Sequence, residues 1–251
     1  MTNATATLTN GAAPPDNEPA NSTAQAYHAV RHAIINADLP PGAVVSQVQL
    51  AAQLNISRTP LREALRRIQS EDLLEGDFNR RLRVAPLSVD DLEQLAAMRI
   101  VLESLGVQAS VAQLDPARLH QATEAFDEMD RIWSTTGSFD DFRIPHRVFH
   151  TTLFSGVGTR IRCQLEELWD HSERYRAFYR QSTDDPVTLA NIAHDEHAAI
   201  LQSAHERDAH TCGKLIAAHL ARTALTTLAK LDPTHDPMII RQATVLVTGR
   251  P

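Results

Sequence analysis

Residues 55–68 read NISRTPLREALRRI and determine how the N-terminal part of the chain is interpreted. Ser57 has a residue type that commonly precedes a helix, and Pro60 in the first turn removes no intrahelical hydrogen bond. One face of the predicted helix is apolar, with Leu61, Leu65 and Ile68. The opposite face carries guanidinium groups at i, i+4 and i+8, on Arg58, Arg62 and Arg66. The pattern therefore predicts a helix that packs on one side and presents positive charge on the other.

The residues around this helix predict a winged helix-turn-helix over residues 24–87. An apolar pattern from Gln25 predicts a first helix, and the sequence LPPG at 39–42 ends it. Ser46 and Gln49 form a capping-box pattern that opens a short second helix. Residues 75–86 alternate in polarity, which predicts a two-stranded wing. In such a fold the third helix enters the major groove of DNA.

Arginine is unevenly distributed along a chain whose formal net charge is −7. The 24 basic residues comprise 22 arginines and only two lysines, and seven of the arginines lie between Arg58 and Arg83. Arginine makes forked contacts with phosphates and guanine edges that lysine cannot copy. The local cluster thus predicts binding to double-stranded DNA despite the acidic total, although a solvated arginine-rich face is the alternative.

The rest of the chain has helical periodicity and predicts a mainly α protein. Residues 88–231 are expected to form an all-helical bundle with helices over about 88–114, 116–133, 147–154, 159–181, 186–206 and 208–231. Pro145 is expected to begin or kink the third of these. Residues 1–23 are small and polar, which predicts a disordered arm, and residues 232–251 form a tail with no assigned structure.

The sequence contains no apolar run of 18 residues and no N-terminal pattern typical of a secretory signal. We therefore expect a cytoplasmic protein with no membrane partner.

Five of the twelve histidines have helical spacing that suits a metal site. His146 and His150 lie one turn apart, His194 and His197 are three residues apart, and His219 lies on the last predicted helix. Facing helices of a bundle can bring such side chains to one ion. Spacing alone leaves open the alternative of scattered solvated or core histidines.

The N-terminal motifs resemble the GntR family of transcriptional regulators. The resemblance rests on LPPG at 39–42, QLA at 49–51 and NISRTPLREAL at 55–65, within residues 25–86. It implies that Ser57, Arg58, Thr59 and Arg62 contact the operator, and we add Arg66 and Arg81 as further DNA contacts. Two departures stand out: Arg81 replaces the usual wing glycine, and Asp72 replaces the glycine of a Glu-Gly-Leu motif.

Residues 88–231 resemble the FCD effector domain of that family. The matching motifs are Arg99-x-x-Leu-Glu103, Phe149-His150-x-x-Leu153 and Glu196-His197-x-x-Ile200, followed by His219. The resemblance implies a divalent metal held by His150, His197 and His219, and Arg99 facing an effector cavity. His146 stands where metal-binding members have an aspartate. Four imidazoles would favour Zn or Ni over harder ions, and a weaker or lost site is the alternative.

These features together predict a dimeric regulator of DNA with an inverted-repeat operator, whose affinity a small organic acid changes. A regulator of the same fold that senses a lipid, a partner protein or another ligand without metal remains an alternative. The enzyme alternatives are an HD-type hydrolase, for which His194-Asp195 is the motif, and a di-iron bundle. The first lacks a well-placed downstream aspartate, because Asp208 and Asp232 lie at helix ends, and the second lacks paired Glu-x-x-His motifs.

Overall fold

The computed structural model describes residues 19–77, 81–135, 139–182 and 185–249. The chain divides into two units, Met1–Ser88 and Val89–Pro251. The first unit has three helices and three short strands, in the order α1 (Pro19–Ile35), β1 (Val44–Val45), α2 (Gln47–Gln53), α3 (Arg58–Ser70), β2 (Leu74–Gly76) and β3 (Leu82–Val84).

Helix α3 forms the centre of the first unit because its apolar face is fully covered. Leu61, Leu65 and Ile68 have no exposed surface and pack in one core with residues of α1, α2 and the sheet. Ser46 caps α2, and its hydroxyl oxygen accepts a hydrogen bond from the backbone N–H of Gln49 at 3.3 Å. The packing and capping patterns in the sequence are thus confirmed.

The sheet of the first unit has one strand more than the predicted two-stranded wing. Strand β3 lies in the middle, antiparallel to both β1 and β2. Strand β1 has only two residues, so no alternation of polar and apolar side chains reveals it in the sequence. It exists because β3 offers its second edge to Val44 and Val45.

Helix α1 begins at Pro19, six residues before the predicted start at Gln25. The expected disordered arm 1–23 therefore overlaps the helix over residues 19–23, and residues 1–18 lie outside the described residues. Residues 19–24 carry no apolar periodicity. The pattern alone could therefore not extend the helix to Pro19.

The second unit consists of helices, as predicted. They are α4 (Val89–Val111), α5 (Pro116–Thr135), α6 (Phe139–Leu153), α7 (Thr159–Gln181), α8 (Pro186–His205), α9 (Ala209–Leu231) and α10 (Met238–Thr248). Helix α4 contacts α6, α7, α9 and α10 and is buried along most of its length. Helices α6, α8 and α9 carry the histidines of interest, so the bundle brings distant parts of the sequence to one place.

Helix α6 corrects the expectation that a helix begins at Pro145, while a kink at Pro145 stays a prediction. It starts at Phe139 and keeps Pro145 in its interior. Proline lacks the N–H that would donate to the carbonyl four residues earlier, so an interior position costs stability. Close packing of α6 against α5 accompanies this position, and we attribute the tolerance of Pro145 to that packing.

The tail 232–251 contains a helix that sequence reasoning did not assign. Helix α10 packs against α4 and α9 and buries Ile240 and Ala243. The carboxylate of Glu93 on α4 accepts hydrogen bonds from the backbone N–H of Ile239 and from the ring of His235, both at 2.7 Å. Most of the other apolar residues of α10 are exposed.

No helix within the described ranges is both long enough and apolar enough to cross a membrane.

Candidate DNA-binding surface and metal centre

The residues predicted to contact DNA lie together at the start and on the outer face of α3. Ser57, Arg58, Thr59, Arg62 and Arg66 are all exposed. Ser57 precedes the first residue of the helix, and its hydroxyl makes no capping hydrogen bond to the helix backbone. Guanidinium groups therefore project from the side of α3 that lies opposite the buried face, close to an exposed hydroxyl at the helix N-terminus.

Arg81 is exposed and immediately precedes β3, while the tip of the wing, residues 78–80, lies outside the described residues. Across the hairpin, Gly76 has φ +106°, and a Cβ at this position would lie 2.2 Å from the backbone oxygen of Arg81. The wing thus has its indispensable glycine at position 76. Asp72, which also stands where a glycine is usual, adopts φ +55°, in the left-handed region that glycine favours.

Four histidines from three helices meet in the second unit. His146 and His150 lie on α6, His197 on α8 and His219 on α9, and all four are buried. Each can offer one ring nitrogen such that all four atoms lie within 4.8 Å of one another. Nε2 of His150 and Nε2 of His197 are 3.2 Å apart. Two nitrogen ligands of a tetrahedral zinc ion, each about 2.0–2.1 Å from it, are separated by about 3.3 Å, so the donor set fits a divalent ion.

A carboxylate orients one of these imidazoles, because Nδ1 of His219 hydrogen-bonds to Oε2 of Glu196 at 2.6 Å. Nδ1 of His150 lies 3.9 Å from Oε2 of Glu103, beyond hydrogen-bond distance, and neither atom has a hydrogen-bond partner among the described residues. A proton on Nδ1 leaves the Nε2 lone pair available to a metal, which is the usual arrangement around ligating histidines. Burial alone raises the pKa of Glu196, but hydrogen bonds from His219 and Arg222 outweigh it and bring the pKa to about 2. Glu196 is therefore ionised at neutral pH.

The Nδ1 atom of His146 contacts a positively charged guanidinium group rather than a carboxylate. A guanidinium N–H of Arg176 donates to Nδ1 of His146 at 2.8 Å, and the same group contacts Oε1 of Glu173 at 2.8 Å. Arginine stays protonated, so Nδ1 of His146 must be the acceptor and a neutral ring carries its proton on Nε2. His146 can bind a metal through Nε2 only if this hydrogen bond breaks. It differs in this respect from His219.

The cluster is held in its neutral form. Burial first, and then the positive charges of neighbouring groups, lower the pKa values of His146, His150 and His197 well below the usual range. Burial also lowers the pKa of His219, and Glu196 opposes that shift in part. Neutral imidazole is the form that ligates a metal.

Arg99 lies beside the cluster, buried and already paired. Its Nε donates to Glu103 at 2.6 Å, another N–H donates to Ser172 at 2.9 Å, and its guanidinium lies 4.4 Å from the ring centroid of Trp169. Arg99 therefore both forms a buried ion pair and lines a cavity.

A cavity of about 390 Å³ opens next to the four histidines. Its wall includes His146, His197 and His219, together with four arginines, Arg99, Arg176, Arg180 and Arg222. Small-molecule sites have volumes of about 300–1,000 Å³ and combine an apolar wall with a few placed polar groups. The cavity therefore has the size and composition of a site for a small molecule.

His194 and Asp195 do not join the cluster. His194 lines the cavity, 3.3 Å from Asp130, with its ring 5.2 Å from that of Phe126. Asp195 is exposed, and Asp208 caps α9 by accepting a hydrogen bond from the N–H of Thr211 at 3.0 Å. The carboxylates that an HD-type site needs are thus not gathered around the histidines within the described residues.

Sequence reasoning did not predict five residues that surround the cluster. They are Trp169, Glu173, Arg176, Glu196 and Arg222. Two of them had a usable signal, because Glu196 directly precedes His197 and Arg222 follows His219 by one helical turn. Trp169, Glu173 and Arg176 lie on α7, which carries none of the four histidines, so no spacing linked them to the cluster.

Sequence profiles of two known domains match the chain over most of its length. Residues 22–84 match the bacterial regulatory proteins of the gntR family, and residues 94–222 match the FCD domain. The chain belongs to the GntR family. It is a DNA-binding transcriptional regulator with an FCD domain, which confirms the resemblance, the mainly α fold class and the expectation of a regulator rather than an enzyme.

Named relatives agree with this assignment. The HTH-type transcriptional repressor GlaR of Escherichia coli is 26% identical over 204 residues, which cover 77% of this chain and 90% of GlaR. The Nta operon transcriptional regulator of Aminobacter aminovorans is 27% identical over 182 residues, 72% of this chain and 83% of that protein.

Solved structures share the fold of this GntR-family chain. E. coli McbR/YncC has a TM-score of 0.74 at 21% identity and covers 84% of this chain and 99% of its own. A putative GntR regulator from Rhodococcus sp. RHA1 has a TM-score of 0.70 at 23% identity, with coverage of 83% and 98%.

Proposed function

We propose that this regulator changes its affinity for an operator when a small organic acid binds beside a divalent metal ion in the FCD domain. The observation that carries the proposal is the buried group of four histidines at one wall of a cavity that also contains arginines. Effector binding can alter DNA affinity only if the effector favours one conformation of the protein over another.

His150, His197 and His219 would hold the ion, with His146 as a fourth ligand once Arg176 releases it. Imidazole ligands favour Zn or Ni over Mg or Mn. A bound ion would act as a Lewis acid toward a carboxylate oxygen of the effector. Glu196 would keep His219 in the tautomer that ligates.

Arg99 and Arg176 would donate hydrogen bonds to the carboxylate of the effector. Guanidinium groups form paired, charge-assisted hydrogen bonds with carboxylates. Both line the cavity near the histidines, and both are held in place by glutamates, Arg99 by Glu103 and Arg176 by Glu173. Such pairing limits the motion of the guanidinium groups, so less freedom is lost when the acid binds.

DNA contacts are assigned to the exposed residues of α3 and the wing, Ser57, Arg58, Thr59, Arg62, Arg66 and Arg81. Because helix-turn-helix regulators commonly bind as two-fold dimers, the proposal includes a homodimer on an inverted-repeat operator in the cytoplasm. Footprinting on a selected site should show two related half-sites. A single half-site bound by a monomer in sedimentation would contradict the dimer.

A regulator of the same fold that senses a ligand without metal is the second candidate. The observation in its favour is the hydrogen bond from Arg176 to His146, which keeps one imidazole in the wrong tautomer for metal binding. Metal analysis of the purified protein, combined with measurement of its response to an acid, separates the two candidates.

The test uses the full-length protein purified without chelators. Mass spectrometry should find close to one Zn or Ni ion per chain, and anisotropy titrations should show that a carboxylic acid changes operator affinity. His219→Ala should remove the response to the acid and leave operator binding without acid intact. If wild-type protein is free of metal and still responds to its acid, the metal proposal is wrong and Arg99 becomes the better anchor.

A further inference from the structure

The arginines of the cavity carry little uncompensated charge. Arg99 pairs with Glu103 at 2.6 Å, Arg176 with Glu173 at 2.8 Å and Arg222 with Glu196 at 2.5 Å. Each of these three guanidinium groups thus has a carboxylate of its own. Arg180, the fourth, is also engaged in an interaction within the protein. Three of the four cavity arginines are therefore already paired with carboxylates, so they offer little free positive charge for a second or third carboxylate of a ligand.

Three hydroxyl groups on the wall are also satisfied within the protein. The hydroxyl of Tyr175 donates to Asp91 at 2.5 Å, that of Ser172 to the backbone oxygen of Trp169 at 2.8 Å, and that of Thr227 to the backbone oxygen of Thr223 at 2.7 Å. An apolar ligand placed against them would leave no donor unpaired.

The apolar part of the wall extends in one direction from the histidines. On α4 the lining residues run from Arg99 back to Leu92, and on α8 they run from His197 back to Leu189. At about 1.5 Å of rise per residue these stretches are about 10–12 Å long. Between the ends the walls carry Leu95, Ala96, Ala190 and Ala193. The cavity is thus a short apolar channel with a metal-ligating end.

Aromatic side chains complete the channel. Phe126 and Trp133 of α5 and Phe142 of α6 also line it. A volume of about 390 Å³ equals that of about thirteen water molecules, at about 30 Å³ each in the liquid. An acid of two or three carbons would fill only part of it and leave apolar surface in contact with trapped water.

We propose that the effector is an amphiphilic monocarboxylic acid, with its carboxylate at the histidine end and an aryl or medium-chain acyl body in the apolar channel. The proposal rests on the proposed function, which it deepens by naming the class of acid. A second carboxylate on such a ligand would lie against a mainly apolar wall, at a large desolvation cost.

The first experiment measures binding of four acids to zinc-loaded full-length protein by calorimetry. Acetate, succinate, hexanoate and 3-phenylpropanoate serve as probes. Burial of each added methylene is worth about 0.8 kcal/mol, or about fourfold in affinity, when the group is fully buried. Hexanoate and 3-phenylpropanoate should therefore bind at least tenfold more tightly than acetate, and succinate should gain nothing over acetate.

The outcomes distinguish failure of the ligand class from failure of the proposed function. If succinate binds more tightly than 3-phenylpropanoate, the amphiphilic ligand is wrong while the carboxylate-sensing function stands. If no acid binds, or if the neutral 3-phenylpropanol binds as tightly as the acid, the proposed function itself is wrong and the inference fails with it.

Variants of α8 locate the binding site. Leu189→Asp places a charge in the channel and Ala190→Phe fills part of it, so each should weaken 3-phenylpropanoate at least tenfold and leave acetate within about twofold. Val187→Asp is the matched control, because Val187 lies on the same helix, is 60% exposed and does not line the cavity. Equal effects of Leu189→Asp and Val187→Asp would overturn the placement of the ligand.

Discussion

Two tautomers within one histidine cluster distinguish its members at the residue scale. Nδ1 of His219 hydrogen-bonds to the carboxylate of Glu196, whereas Nδ1 of His146 accepts a hydrogen bond from the guanidinium of Arg176. The first arrangement prepares Nε2 to bind a metal and the second does not. The four residues therefore differ in how directly they can serve as ligands, although they are equally buried.

Alanine in place of His150 or His219 should reduce zinc affinity at least 100-fold. Loss of an outer partner typically costs 10–100-fold, and loss of a ligand should cost more. Competition titrations with a chromophoric chelator would measure the change. His120→Ala is the control, because this side chain is 73% exposed and contacts Glu124 on the same helix. Wild-type affinity in both cluster variants would remove them from the site.

His146→Asp should keep the metal site and allow harder ions. The carboxylate would form an ion pair with Arg176 in place of the present hydrogen bond, and it would offer an oxygen ligand that does not depend on a tautomer. We expect zinc affinity equal to or above that of wild type and a measurable affinity for Mn. Calorimetry with both ions tests this, and a complete loss of zinc binding would show that the imidazole itself is required.

Arg58→Ala and Arg62→Ala should each weaken specific operator binding by about 1–3 kcal/mol if the side chains read base edges. A residue that contacts only phosphate should instead weaken all sequences alike and lower the salt slope by about one unit. Anisotropy titrations at several salt concentrations distinguish these cases. Arg118→Ala, an exposed position of the second unit, removes the same charge and should change little.

At the scale of elements, short strands and helix ends depend on single backbone positions. In the hairpin of β2 and β3, the backbone of Gly76 lies close to the carbonyl oxygen of Arg81. At the start of α10, the carboxylate of Glu93 accepts a hydrogen bond from the backbone N–H of Ile239. Neither element has enough length to be stable by local propensity alone.

Gly76→Ala should destabilise the first unit by about 1–3 kcal/mol, because alanine would combine positive φ with a collision against a backbone oxygen. Gly42→Ala is the matched control. Gly42 also has positive φ, at +78°, but its added methyl group would meet nothing within 4 Å. Hydrogen exchange of the amides in α3 separates the two effects, since the first unit can then be followed by itself. Equal losses in both variants would exclude the steric part.

At the scale of the molecule, the residues proposed for DNA binding and those proposed for metal binding lie in different units. The first unit carries the exposed arginines of α3, and the second carries the buried histidines and the cavity. Trp133 and Trp169 are the only tryptophans in the sequence, and both belong to the second unit. Tryptophan fluorescence thus reports on the second unit alone.

Acid should destabilise the metal-free second unit below about pH 6.5. Unfolded histidines bind protons near pH 6.5, whereas burial holds the pKa values of the four cluster histidines lower in the folded state. The unfolded state then binds more protons, so stability rises with pH and is lost as pH falls from 6.5 toward the folded-state values. Each group contributes at most about 1.4 kcal/mol per pH unit.

Urea titrations followed by tryptophan fluorescence between pH 5 and 8, with a chelator present, measure this slope. Glu196 adds little over this range, because its pKa is about 2 in the folded state and about 4.3 in the unfolded chain. His150→Leu should make the slope shallower, and His120→Ala should leave it unchanged. A slope that is identical in all three proteins would contradict the assignment.

Sequence alone determined the winged helix-turn-helix and the exposed arginines of α3, whereas spacing offered five histidines and only the resemblance to the FCD domain selected four. The first two depend on local patterns, namely the apolar spacing of Leu61, Leu65 and Ile68 and the proline in the first turn. Physical chemistry acts on such features over a few residues, so one chain without neighbours suffices to find them.

Tertiary structure decided the features that join distant residues. Strand β1 exists only because β3 offers an edge, α10 forms where Glu93 and the surfaces of α4 and α9 receive it, and α6 continues through Pro145 while packed against α5. Packing also placed Arg176 on α7 against His146, 30 residues away in sequence. The tautomer of that imidazole, and with it the readiness of the site for a metal, depends on a contact that no sequence spacing records.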